Sequence, residues 1–278
     1  MHHKKNYKSM LIYIPVILIL GFGIGPFLAA LVTSFLPVGT FVTVENPFES
    51  ISNFSMVNYS ELFTEYHFPT WFINSTIVSV VSTLISIFCS CLAGYSLSRF
   101  KVAGRRSAEM MLLISQMMPV AAIIIPLYVI ISRFALTNTL ISLILVNNAI
   151  TIPFSTMMMR SFFDSIPREL EDAALTDGCT PLMVLRYITL PLVRPGLFAT
   201  AIFAFTLCWQ EFLFAVTFNT SDTLRTLTTG MASVKERNMV NWGILSAAVV
   251  VATIPVAILF ALVQKQFVHG LTKGALKG

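Results

Sequence analysis

Residues 160–195 read RSFFDSIPRELEDAALTDGCTPLMVLRYITLPLVRP and carry nine charges: Arg160, Arg168, Arg186 and Arg194 against Asp164, Glu169, Glu171, Asp172 and Asp177. The long apolar segments on either side are almost uncharged. Pro167 suits the first turn of a helix, where its missing N–H costs nothing. Glu169, Glu171 and Asp172 follow at once, and carboxylates there favour the helix dipole. Ala173, Ala174 and Leu175 add helix propensity, and Gly178 supplies the left-handed cap that ends the helix. Thr180 then caps a second helix with Pro181 at its first position. In that helix Leu182, Leu185 and Ile188 recur at three-residue steps beside Met183 and Tyr187, and Pro191 and Pro195 are expected to stop it. The stretch is predicted to fold as helix, glycine turn, helix.

The chain around it has the composition of an integral membrane protein. Its 278 residues are 56% hydrophobic and 11% charged, with a mean hydropathy of +0.80, whereas soluble domains are about 25% charged. Six segments meet the length of about 20 apolar residues that a membrane helix needs: 10–36, 72–97, 110–132, 136–159, 196–218 and 243–264. They are too long for the roughly ten-residue strands of a barrel. The expected fold class is therefore an all-α membrane protein with six transmembrane helices and a folded loop at 160–195. Residues 1–9 form a basic tail, and 10–278 form one membrane domain. The 27 uncharged residues of 10–36 exceed the ~7–15-residue core of a signal peptide, so this segment is expected to be a retained helix. A short helix is predicted around Tyr59–Tyr66 and a tight turn at Gly104 in the loop 98–109.

Lys and Arg set the orientation. With the N-terminus inside, the inner segments hold 14 of the 18 basic residues; the outer ones hold only Arg133, Arg225, Lys235 and Arg237. Both termini and the 160–195 loop are therefore expected in the cytoplasm. This bias accounts for the net charge of +5 without nucleic acid as a partner; the partner it implies is membrane lipid. Cys89, Cys91, Cys179 and Cys208 form no metal or redox pattern, and the four histidines are scattered, so no metal site and no catalytic set is expected. No G-x-x-x-x-G-K-[ST] loop occurs either, which excludes nucleotide binding of that kind on this chain.

The loop resembles the cytoplasmic loop of ABC importer permeases, written Glu-Ala-Ala, three residues, Gly, nine residues, Ile-x-Leu-Pro. Here the match is Asp172-Ala173-Ala174, Gly178 and Ile188-Thr189-Leu190-Pro191, with both gaps kept. Asp172 departs from the pattern by one methylene and keeps the charge. Asn74-Ser75, Tyr95–Phe100, Trp209–Phe214, Asn241-Trp242-Gly243 and the stretch from Gln266 are similar to the sugar-uptake permeases of the maltose type, with Gln210 where Asn is commoner. The resemblance implies a permease subunit of a bacterial cytoplasmic-membrane importer for a carbohydrate. The implied partners are a second permease in a heterodimer, two copies of a cytoplasmic ATPase that hold the ATP and Mg²⁺, and an extracytoplasmic sugar-binding protein. It also implies that Glu169, Glu171, Asp172, Ala173, Ala174, Asp177, Gly178, Thr180, Ile188, Leu190 and Pro191 belong to an ATPase-coupling loop, whose segment from Glu169 to Thr180 is received as a coupling helix in a groove of the ATPase. A related solute such as glycerol phosphate would use the same architecture.

Polar residues inside the spans give a second candidate region. An ionisable residue there marks a pathway or a buried partner, and Glu211 is the one acid. It is read either as facing a pathway or subunit interface, with Gln210 beside it, or as a structural hydrogen bond near Trp209. Gln116, Asn147 and Asn148 either line a sugar route or tie helices together, the second use being worth about 0.6 kcal/mol each. The intraspan prolines likewise fit helices bent around a pathway or the ordinary frequency of proline in membrane helices. A secondary transporter would need coupling acids at the bilayer midplane, for which only Glu211 is available.

Overall fold

The computed structural model describes residues 4–37, 54–101, 103–234 and 241–275, and among these every regular element is helical. The expectations for Lys235 and Arg237 lie outside the described residues. Four helices are long and apolar enough to cross a membrane: α1 (Lys4–Ser34), α3 (Phe68–Arg99), α6 (Leu140–Asp164) and α12 (Trp242–Ala275). Counting each of two sharply bent helix pairs as one span raises the number to six. The all-α class read from the sequence is what the structure has.

Two expected spans are not single helices. The segment 110–132 is α4 (Arg105–Met117) and α5 (Val120–Arg133), which meet at 103°. Proline disfavours helical geometry in the residue before it, and Met118 is accordingly extended, with φ −72° and ψ 126°. Pro119, also extended, becomes the residue that precedes α5. The segment 196–218 is α9 (Arg194–Trp209) and α10 (Leu213–Phe218), separated by Gln210, Glu211 and Phe212. The fourth span starts later than hydropathy suggests. Thr139 is extended, its Oγ1 accepts the Ser142 N–H at 3.3 Å, and α6 begins only at Leu140.

The chain forms two compact units, Met1–Pro69 with Gly230–Ile254 and Thr70–Thr229 with Pro255–Gly278. In the first, α2 (Val57–Thr64) lies close to the predicted short helix. Asn58 Nδ2 donates to the carbonyls of Ser34 and Leu36 at 2.9 and 2.7 Å, taking up acceptors that the end of α1 leaves open. Gly243, in the first turn of α12, approaches Asn58 so closely that a Cβ would lie 2.6 Å from the amide.

The second unit contains α3 to α10 and the 160–195 loop, and α11 (Leu227–Val234) follows α10 in the chain. Ser79, Ser82, Ser86 and Ser90 follow one another at helical spacing on α3 and are fully buried, as are Ser155 and, almost completely, Thr151 and Thr156 on α6. Ser86 and Ser155 hydroxyls join at 3.1 Å, and a Cβ on Gly94 would lie 2.9 Å from the Arg160 backbone nitrogen. Small and hydroxylated residues let membrane helices approach closely and bond across the contact. Close packing here brings the ends of α3 and α6 together beneath the loop.

Candidate functional site

The loop folds as helix, turn, helix: α7 (Arg168–Thr176), a turn at Gly178, and α8 (Pro181–Leu192). Gly178 has φ +92°, the left-handed conformation its position requires, and the Cys179 N–H reaches back to the Ala174 carbonyl at 3.0 Å. Thr180 caps α8 through the Met183 N–H with Pro181 in the first turn, as its sequence position implies. Pro167 differs slightly from expectation, since it is extended and precedes the first turn of α7.

Pro191 does not stop the second helix. The chain widens into a π turn over Leu185–Thr189 and runs through Pro191 to Leu192. A proline inside an α-helix lacks the N–H and clashes with the carbonyl four residues earlier; the wider turn avoids that clash. The helix ends at Val193, and α9 leaves at 81° with Pro195 in its first turn. The apolar face expected from the three-residue steps divides in two. Val184, Leu185 and Thr189 are buried, whereas Leu182 and Tyr187 are about two-thirds exposed, at 67% and 65%.

Glu171 carries the main correction. Sequence reasoning placed it with the residues offered to an outside partner, but it is buried against the protein itself. Its Oε1 pairs with Arg99 at 2.9 Å and accepts from Thr189 Oγ1 at 3.1 Å, and its Oε2 accepts from Tyr95 at 3.2 Å. Arg99 also donates to the carbonyls of Phe163 and Ile166 at 2.8 and 3.2 Å. Arg168 donates to the Ser98 carbonyl at 2.9 Å, and the Ser98 hydroxyl donates to Asp164. Arg160, one turn before Asp164 on α6, bridges Asp164 at 3.4 Å and Glu109 at 3.0 Å. Sequence reasoning missed Arg99, Tyr95 and Thr189 as site residues. The available signal was the four-residue spacing of Tyr95 and Arg99, which puts both on one helix face.

Ala174 is buried as well, and Ile188 and Leu190 are half-buried. Glu169, Asp172, Ala173, Asp177, Gly178, Thr180 and Pro191 remain exposed. With Leu170, Leu175, Leu182, Met183 and Tyr187, they give the loop an exposed surface of mixed apolar and acidic character. Partner grooves take amphipathic helices of this kind.

The span-borne residues do not gather at one place. Glu211 sits in the break between α9 and α10, where its two carboxylate oxygens accept the N–H groups of Phe214 and Ala215 at 2.7 and 3.0 Å. Its carbonyl accepts from Thr228 Oγ1 at 2.6 Å. Those bonds cap the start of α10. Gln210 beside it is exposed. Asn147 and Asn148 are buried in α6; Asn148 Nδ2 donates to the Ile144 carbonyl at 2.8 Å, and the Asn147 carbonyl accepts from Thr151 at 2.9 Å. Gln116 is placed differently. With Ser115, Met118, Pro126, Phe154 and Phe203 it lines an open cavity of about 390 Å³ among α4, α5, α6 and α9. Phe154 and Phe203 stack at 4.0 Å on its wall.

A membrane bundle with a buttressed helix-turn-helix loop is the architecture of a transporter permease, and comparison with known proteins agrees. Residues 82–273 match the family described as binding-protein-dependent transport system inner membrane component, and the chain belongs to that family of ABC transporter permeases. It is 38% identical over 224 residues to the sulfoquinovosyl glycerol transport system permease protein SmoH of Agrobacterium fabrum, covering 81% of this chain and 79% of that one. It is 34% identical over 274 residues to the trehalose/maltose transport system permease protein MalG of Thermococcus litoralis, covering 98% of each. Its fold matches a chain of a bacterial ABC transporter that imports the acidic polysaccharide alginate, with a TM-score of 0.77 over 96% of this chain and 99% of that one, at 18% identity.

Proposed function

We propose that this chain is one of two permease halves of an ATP-driven importer for a carbohydrate, and that its 160–195 loop docks into a cytoplasmic ATPase. ATP and Mg²⁺ belong to two copies of that ATPase, a second permease completes the pore, and an extracytoplasmic binding protein delivers the sugar. Both termini lie in the cytoplasm. The carbohydrate class rests on the relatives, whose names specify sulfoquinovosyl glycerol and trehalose or maltose. The coupling role rests on one observation above all. The loop is stiff where it meets the protein and apolar where it faces outward, with Leu182 and Tyr187 exposed above buried Val184, Leu185 and Glu171. A surface like that transmits displacement, whereas a slack loop absorbs it.

The cavity bearing Gln116 suits a sugar route, because it joins hydrogen-bonding side chains to an aromatic wall. The reading is tested by isolating the tagged chain from its native membrane. An ATPase subunit and a second permease should accompany it, and the reconstituted assembly should take up sugar only with ATP. Isolation of the chain alone, or uptake driven by an ion gradient, contradicts the reading.

A further inference from the structure

Between the last residue of α6, Asp164, and the first of α7, Arg168, lie only Ser165, Ile166 and Pro167. So short a joint is a natural pivot. A pivot there would let α7 swing without moving the spans. The side chains around it prevent that. Arg99, at the last position of α3, crosses the joint: one guanidinium bonds the Phe163 carbonyl before it, the Ile166 carbonyl within it and the Glu171 carboxylate beyond it. The two side chains are 8% and 6% exposed, so water neither screens nor replaces the pair. Tyr95, one turn earlier on α3, holds the second oxygen of Glu171, and Thr189 ties α8 to the first.

We infer that Arg99 and Glu171 are positioning residues that lock α7 to the ends of α3 and α6, so that a push on the loop moves those spans as one body. The inference rests on the reading of the loop as the ATPase contact. It assigns Glu171 a different task from its exposed neighbours Glu169 and Asp172, which face outward. Lysine cannot replace Arg99 in this role, because a single ammonium lacks the planar fork that reaches carbonyls and carboxylate together.

The test places spin labels at Ser161 on α6 and Thr176 on α7, both exposed, in a chain whose four native cysteines are replaced. Pulsed-resonance distances are measured on the tagged, membrane-reconstituted assembly, without nucleotide and after trapping with ATP, Mg²⁺ and vanadate. With Arg99 and Glu171 intact, the distance distribution should be narrow and keep its peak in both states. In Arg99→Lys and in Glu171→Gln, the peak should move between the two states by more than its own width, because the joint now takes up the stroke. A purely structural role would broaden both states alike and add no such movement. Arg186→Lys, an exposed change on the same loop, should behave as the parent. A parent peak that shifts on trapping overturns the inference without any variant, as do Arg99→Lys and Glu171→Gln peaks that stay put. Absence of a co-isolated ATPase instead sinks the coupling reading, and the nucleotide-free widths of parent and variants then judge the lock alone.

Discussion

Glu171 and its neighbour Asp172 differ by one methylene in the sequence and by everything in their surroundings. Glu171 is buried in an ion pair with Arg99, and Asp172 is exposed. Removing one member of a buried pair strands the other, at a cost of about 3–5 kcal/mol. Glu171→Ala should therefore lower the unfolding midpoint of the detergent-solubilised chain markedly. Glu169→Ala, on the exposed face, should change stability by no more than about 0.5 kcal/mol. Gly178 makes a separate case. Nothing lies within 4 Å of where its Cβ would be, so a substitution there meets no steric wall. The cost is conformational, about 1–2 kcal/mol for a left-handed residue with a side chain, and a β-branched group is worst. Gly178→Val should leave the spans inserted while reducing ATP-coupled uptake; Gly178→Asn should be far milder, since Asn accepts that conformation. The glycine and the Thr180 cap were legible in the sequence because their chemistry is local. The partner of Glu171 was not, because Arg99 lies 72 positions away and reads as an ordinary basic residue closing a span.

At the scale of elements, hydropathy found the long helices and was blind to direction. α1, α3, α6 and α12 followed from length and apolar content alone. The 110–132 segment is as apolar as they are, yet it turns through 103° at Met118 and Pro119. Average hydropathy carries no information about a backbone angle, and proline in a membrane helix is too common to announce a break. The same limit hid the interruption at Gln210–Phe212, where Glu211 acts as a cap. Glu211→Leu removes acceptors from two backbone N–H groups, and losing a cap costs about 0.5–2 kcal/mol. Amide exchange across Leu213–Phe218 should speed up accordingly while exchange in α6 stays as it was. Unchanged exchange in α10 would mean that the carboxylate does not hold that helix. The π turn at Leu185–Thr189 was equally invisible. Proline predicts a difficulty at its position, and the fold resolved that difficulty by widening the helix instead of ending it.

For the whole molecule, the proposed function gives the two candidate regions separate tasks. On that proposal force enters at the loop, and a sugar finds room in the cavity at the bend between α4 and α5. Filling that cavity separates the two roles. Ala149→Trp, on its wall, should cut sugar uptake by an order of magnitude or more while an ATPase still co-isolates with the chain. Equal uptake by that variant would remove the cavity from the route. The loop itself offers the most direct measurement of the central claim. A photo-crosslinking residue at Leu182, 67% exposed on α8, should capture the ATPase subunit in intact cells. The same probe at Phe134, 71% exposed on the opposite, outer side of the predicted topology, should capture no ATPase. A loop probe that yields only lipid or no product, with the chain fully inserted, would contradict the account.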